Sequence, residues 1–188
     1  MEQQEQLRRA TAQTIREQSE TGQLIPFEEI WTGLVRAGLV TQDATNEITD
    51  FKCLLGEVIQ ENADLKQIST ENGAAYYYST RSLSETYAGI LIGKEEGSLR
   101  LIAKVVRDNS KIYPRPVPLD IFTMSPFDLP RKEIQDCLAK IRDQEEYKDI
   151  ARTTTSVGTV FLYSSRHLEP DYAFTLAEWL DVGQVNNP

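Results

Sequence analysis

Apolar residues recur along this chain in two rhythms, one of about 3.6 residues that marks a helix face and one of about 2 that marks a strand face. The stretch from Glu5 to Ser19 is polar, rich in helix formers and free of Gly and Pro, so it predicts a first helix, which Thr21-Gly22 ends. Pro26 suits the opening turn of a short second helix, along which Phe27, Ile30, Trp31 and Leu34 fall at helical spacing before Gly38. A third helix is predicted from Thr45 to Asn62, with Ile48, Phe51, Leu55, Val58 and Ile59 as an apolar stripe around Cys53-Leu54. Two β-prone runs follow, Leu65 to Thr70 and Ala74 to Thr80, separated by Glu71-Asn72-Gly73. Asn-Gly accepts the positive φ values of a tight turn, which predicts a hairpin. Leu83, Tyr87, Ile90 and Leu91 then mark a closing helix.

The same order returns in the second half. Sliding the chain by 85 positions lays Thr70 to Leu91 on Thr155 to Leu176 without a gap. Nine of those 22 pairs are identical, where average residue usage gives roughly one or two. Among them are Thr70/Thr155, Gly73/Gly158, Tyr78/Tyr163, Ser79/Ser164, Arg81/Arg166, Leu83/Leu168 and Ala88/Ala173. Collinear matches continue upstream: Arg16-x-x-Ser19 answers Arg107-x-x-Ser110, IPFEEIW answers VPLDIF, Cys53-Leu54 answers Cys137-Leu138, and Lys66-x-Ile68 answers Lys148-x-Ile150. An internal duplication follows, with a polar boundary near Gly93 to Ser98. The expected domains are 1–93 and 94–188, with 183–188 as a flexible tail. In the second, helices are expected near 98–112, 118–124 and 128–146, a hairpin near 149–164 and a closing helix near 169–181.

The fold class implied is α+β, mainly α. Three helices, a hairpin and a closing helix resemble the winged-helix family, in which the hairpin is the wing, so two tandem winged-helix-like domains are expected. In length, acidity and layout the chain is similar to the tandem winged-helix subunits that bind kleisins in chromosome-organising complexes, and to winged-helix subunits of endosomal sorting complexes. That resemblance implies a protein-bridging role, often as a dimer.

Charge narrows the function. The net charge of −9 repels polyphosphate at long range, so a nucleic-acid partner is disfavoured although not excluded. The acidity is uneven: residues 1–93 carry 7 basic and 14 acidic side chains, residues 94–188 carry 13 and 15. The first unit's third helix sets Glu47, Asp50, Glu57 and Glu61 against Lys52, the wrong sign for a helix that reads DNA. The second unit is nearer neutral, and a regulator that binds DNA through it, by way of Arg131 and Lys132, is the rival to a protein-interaction module. No run approaches the ~20 apolar residues of a membrane helix. The polar start from Met1 to Gln6 lacks the features of a secretory signal, so no membrane association and a cytoplasmic location are expected. Two cysteines, Cys53 and Cys137, make neither a disulfide scaffold nor a metal-binding spacing and are expected to be buried thiols.

Few residues suggest chemistry. Arg100, Lys104, Arg107 and Lys111 are spaced four, three and four apart and share one helix face. The ordinary reading is a solvated face; the functional one is docking of an acidic partner, such as the first unit of another copy, or of phosphates. Tyr78 and Tyr163 match between halves and are expected in the core. Alternation would then turn Tyr77 and Leu162 to the other face, where they either anchor a protein partner or lie under the closing helix. Arg81 and Arg166 are expected to tie to a nearby carboxylate, and His167 to lie on the surface. No catalytic triad, paired-carboxylate motif, zinc motif or dinucleotide fingerprint is present, so neither catalysis nor a cofactor is expected.

Overall fold

The computed structural model describes residues 2–40 and 45–183, the side chains of 45–47 excepted. Among these the chain is mainly helical with two small antiparallel sheets, an α+β protein. It divides into two compact units, Met1–Glu95 and Glu96–Pro188. Of the tail expected from 183 onward, 184–188 lie outside the described residues, while Gly183 closes a π-helical turn, Trp179–Gly183.

The first unit runs α1 (Glu2–Glu20), β1 (Ile25–Pro26), α2 (Phe27–Arg36), α3 (Thr45–Glu61), β2 (Leu65–Ser69), β3 (Ala75–Ser79) and α4 (Glu85–Glu96). Its sheet has the order β1-β3-β2, so the last strand lies in the middle. Nothing in the apolar pattern marks Ile25-Pro26 as a strand. Pro26 is extended, φ −73° and ψ 158°, and its ring can neither donate to a ladder nor continue a helix backwards. The pair therefore forms a short edge strand, Ile25 opposite Tyr77. One core gathers Ile15, Ile30, Leu34, Phe51, Leu55 and Val58 from the three helices against Leu65 and Tyr77 of the sheet. Each such aliphatic or aromatic residue contributes roughly 1.5–3 kcal/mol by leaving water. A second, smaller cluster of Tyr78, Leu83 and Ala88 packs α4 on the opposite sheet face.

The second unit has the same element order and the same strand order, β4-β6-β5. It comprises α5 (Ser98–Ile112), β4 (Val117–Pro118), a 3-10 helix Leu119–Thr123, α6 (Arg131–Asp143), a 3-10 turn Glu145–Tyr147, β5 (Ile150–Thr154), β6 (Val160–Ser164) and α7 (Pro170–Glu178). The helix expected over 128–146 is shorter at both ends. Asp128 has φ +51°, Leu129 precedes a proline and is biased away from helix, and Gln144 is extended at φ −102°, ψ 127°. Tyr163, Leu168 and Ala173 form the cluster beneath α7.

Both ribbons turn on a three-residue loop, and in the first it is the expected Glu71-Asn72-Gly73. Thr70 and Ala74 close the first (amide Thr70 to carbonyl Ala74, 2.9 Å), and Thr155 and Thr159 close the second at 3.0 Å. Only the glycines, Gly73 at φ +89° and Gly158 at φ +92°, are left-handed there. The matched threonines serve this loop, since the amides of Ala74 and Thr159 donate to their hydroxyls at 3.0 and 3.1 Å.

Two upstream matches need correction. Leu65 pairs with Ser79 and Ile150 with Ser164, so Leu65 answers Ile150 and the 85-residue offset continues to Asp64 and Asp149. Lys66-x-Ile68 is therefore not the counterpart of Lys148-x-Ile150. Likewise Val58 and Ile141 are the last buried residues of α3 and α6, which sets Leu54, not Cys53, against Cys137. Cys53 is accordingly exposed, against expectation, and Cys137 is buried.

Candidate protein-interaction surface

In each unit a carboxylate just ahead of the second strand ties the first helix to the third strand. Asp64 accepts from Arg16 Nε and Nη2, both at 2.9 Å, and from Ser79 Oγ at 3.0 Å, with Arg81 Nε at 3.1 Å. Asp149 accepts from Arg107 Nε at 2.9 Å, Arg107 Nη2 at 2.6 Å and Ser164 Oγ at 2.8 Å, with Arg166 Nη2 at 3.3 Å. The amides of Ser79 and Ser164 donate to Ser19 Oγ and Ser110 Oγ at 2.8 and 2.9 Å. Forked arginine–carboxylate pairs of this kind are among the stronger hydrogen-bonded contacts. Hydrogen bonding from Arg16 holds the Asp64 carboxyl well below the usual carboxylate range. Burial pushes the Asp149 carboxyl up, but hydrogen bonds from Arg107 and Ser164 outweigh it and the net shift is downward. Both groups are thus ionised and fully engaged near neutral pH, which makes them braces for β3 and β6 rather than acids or bases.

This brace removes Arg107 from the proposed basic stripe. Its guanidinium also donates to the Glu146 carbonyl at 2.7 Å and lies over the Tyr147 ring at 5.6 Å. Arg100 is partly buried, whereas Lys104 and Lys111 are exposed. Arg131 and Lys132 are exposed in the first turn of α6, and His167 is exposed. Arg81 and Arg166 do tie to carboxylates, Asp64 and Asp149.

Tyr77 and Leu162 are not surface anchors. They are 7% and 1% exposed. Each sits on the central strand of a sheet with both faces occupied, so alternation sends one residue under the helical trio and the next under the closing helix. Among the described residues no group of three His, Cys, Asp or Glu side chains converges as metal ligands.

The apolar side chains that do reach solvent were not singled out by the sequence. Among the described residues the exposed large ones, Ile112, Tyr113, Ile121, Met124, Val157, Tyr172, Phe174 and Trp179, all belong to the second unit. The 85-residue offset shows how α7 acquired its share: Phe174 stands where α4 has Gly89, and Trp179 where it has Lys94. Tyr172 is 52% exposed, while its counterpart Tyr87 packs onto the α4 cluster. The C-terminal end of α7 is fastened to the ribbon tip, with Glu178 accepting from the Ser156 amide and from Ser156 Oγ at 2.9 Å, and Asp181 from Thr155 Oγ1 at 2.6 Å. These bonds hold Val157 at the tip close to the turn that carries Trp179. An exposed apolar patch marks an interaction surface on soluble proteins, and these side chains are the ones from which such a patch would be built.

Fold and surface together define a mainly helical α+β protein of two compact units, with solvent-facing apolar residues collected on the second. The chain belongs to the YdhW family: it is 31% identical over 180 residues to the uncharacterized protein YdhW of Escherichia coli (strain K12), across 94% of this chain and 79% of that protein. Residues 96–185, the unit with the exposed apolar set, match the family model described as the YdhW C-terminal domain. No solved structure matches the chain.

Proposed function

We propose that this chain is a non-catalytic assembly subunit of two winged-helix-like units, the second of which docks a protein partner through α7 and its ribbon tip. The winged-helix reading is supported by the order helix, strand, two helices, two strands, with the first strand beside the last in both sheets. The docking reading is carried by the confinement, among the described residues, of exposed large apolar side chains to the second unit. No helix among the described residues is long and apolar enough to cross a membrane. A cytoplasmic location, in keeping with two free thiols, is part of the proposal.

The rival, a DNA-binding regulator, draws on Arg131 and Lys132 but loses Arg107 to the brace and must work against a charge of −9. The test is affinity capture of the tagged chain from its own cells beside a Phe174→Asp/Trp179→Asp chain, with circular dichroism confirming that the variant folds. A stoichiometric partner, or self-association, present for the wild type and lost in the variant is expected. Identical recoveries, together with salt-sensitive binding to duplex DNA that Arg131→Glu/Lys132→Glu abolishes, would install the regulator instead.

A further inference from the structure

The second unit carries a groove of about 250 Å³ between α6 and β5, floored by Leu138, Ile141, Ile150 and Leu162 and flanked by Arg142 and Arg152. It is smaller than the roughly 300–1,000 Å³ of typical small-molecule sites and suits a single large side chain. Both arginines are exposed, and neither side chain hydrogen-bonds or ion-pairs with a described residue.

β5 is an edge strand. Its bonds to β6 can be phased from the ends: Thr155 donates to Thr159 and Ser165 donates to the Asp149 carbonyl, so 149, 151, 153 and 155 are the inward-bonding positions. Antiparallel alternation then turns the amide and carbonyl groups of Ile150, Arg152 and Thr154 outward. An open row of backbone donors and acceptors thus runs beside an apolar slot rimmed by two free cations.

The first unit lacks this combination. With Val58 matched to Ile141, Ile59 stands where Arg142 does; along the strands Gln67 answers Arg152, and the larger Tyr77 occupies the place of Leu162. The feature is therefore particular to the second unit and is not a by-product of the fold.

We infer that this edge binds an extended acidic segment of a partner protein, which adds as a strand to β5, seats one aliphatic or aromatic side chain in the groove and sets carboxylates against Arg142 and Arg152. Main-chain pairing supplies affinity in such strand addition and the pocket supplies specificity. A polyphosphate backbone would match the arginines but neither the apolar floor nor the alternating edge groups. Arg131, eleven positions before Arg142 and hence on the same α6 face, extends the positive rim for a longer segment. The inference deepens the interaction-module reading and rests on it, but it uses residues other than Phe174 and Trp179.

The experiment is fluorescence polarisation of the full chain with a dye-labelled peptide that has a central leucine between glutamates, supported by amide chemical shifts. The peptide is expected to bind, to move the Ile150, Arg152 and Thr154 resonances, and to bind about tenfold more weakly to Arg142→Glu/Arg152→Glu. A similar loss is expected when the backbone amides flanking its leucine are methylated, a control that leaves the protein untouched. Phe174→Asp/Trp179→Asp should bind it normally. Equal binding of a lysine-flanked peptide, displacement by a duplex oligonucleotide, unmoved β5 amides, or a change in oligomeric state as the only effect of the arginine substitutions would each overturn the proposal. If the peptide fails while partner capture still depends on Phe174 and Trp179, the edge-strand inference falls and the interaction-module reading stands.

Discussion

Removing the Asp149 carboxylate is the sharpest way to ask whether the repeated brace holds each sheet to its first helix. Its side chain is only 5% exposed and receives two bonds from Arg107, one from Ser164 and a longer contact from Arg166. In Asp149→Ala, the guanidinium of Arg107 keeps the Glu146 carbonyl but loses its counter-charge, and the buried Ser164 hydroxyl loses its acceptor. Stranding one partner of a buried pair costs about 3–5 kcal/mol, and the lower end applies because the Arg107 side chain is 25% exposed and water can reach it. An orphaned hydroxyl adds about 1 kcal/mol, for a total of about 4 kcal/mol. At about 4–8 °C per kcal/mol for a domain of this size, the second unit's melting midpoint falls by about 16 °C or more. Urea unfolding followed by circular dichroism measures the loss, while Trp31, the tryptophan of the first unit packed on Phe51, reports that unit separately in a Trp179→Phe background. A cycle with Arg107→Ala should show the double variant losing less than the two single losses combined. A cost under about 0.5 kcal/mol, the size of an ordinary surface substitution, would refute the brace.

Other expectations follow from the same geometry. Because both brace carboxyls have lowered folded values, their stabilisation is complete above the unfolded value of about 3.9 and is lost as pH falls through it towards the folded values. Urea midpoints should therefore drop below about pH 4, and more gently in Asp149→Ala. Ser110→Ala leaves the buried Ser164 amide without its acceptor and should cost about 1–3 kcal/mol by the same unfolding assay. Gly158→Ala meets open space but forces a left-handed φ of +92° on alanine, so a loss of about 1–2 kcal/mol is expected from backbone strain alone. Lys104→Glu, on an exposed position, should stay within about 0.5 kcal/mol, whereas Arg107→Glu, three residues later on the same helix, should not.

The fold was more legible than the surface. Helix periodicity and turn glycines marked α1, α3, the ribbons and the closing helices, because those signals are local. β1 and β4 escaped because a two-residue strand has no period, and only pairing with a central strand makes it one. Asp64 and Asp149 were hidden by a three-residue slip in the match; carrying the ungapped offset six positions further upstream from Thr70 would have exposed an identical aspartate beside the matched arginines and serines. The basic stripe misled because spacing tells which residues share a helix face but not that Arg107 on that face is claimed by a carboxylate 42 positions away. Tyr77 and Leu162 were placed by strand alternation, which fixes opposite faces without revealing that both are covered. Phe174 and Trp179 could have been noticed as large apolar residues standing where the first unit has Gly89 and Lys94, a contrast that the duplication itself offers.

Hydrogen–deuterium exchange of the full chain, alone and saturated with the partner it captures, tests the docking claim most directly. Slowed exchange in α7, the ribbon tip around Val157 and the β5 edge, with the first unit's amides unchanged, is the expected pattern. Protection that falls on α1 to α4 while the second unit exchanges as before would contradict it.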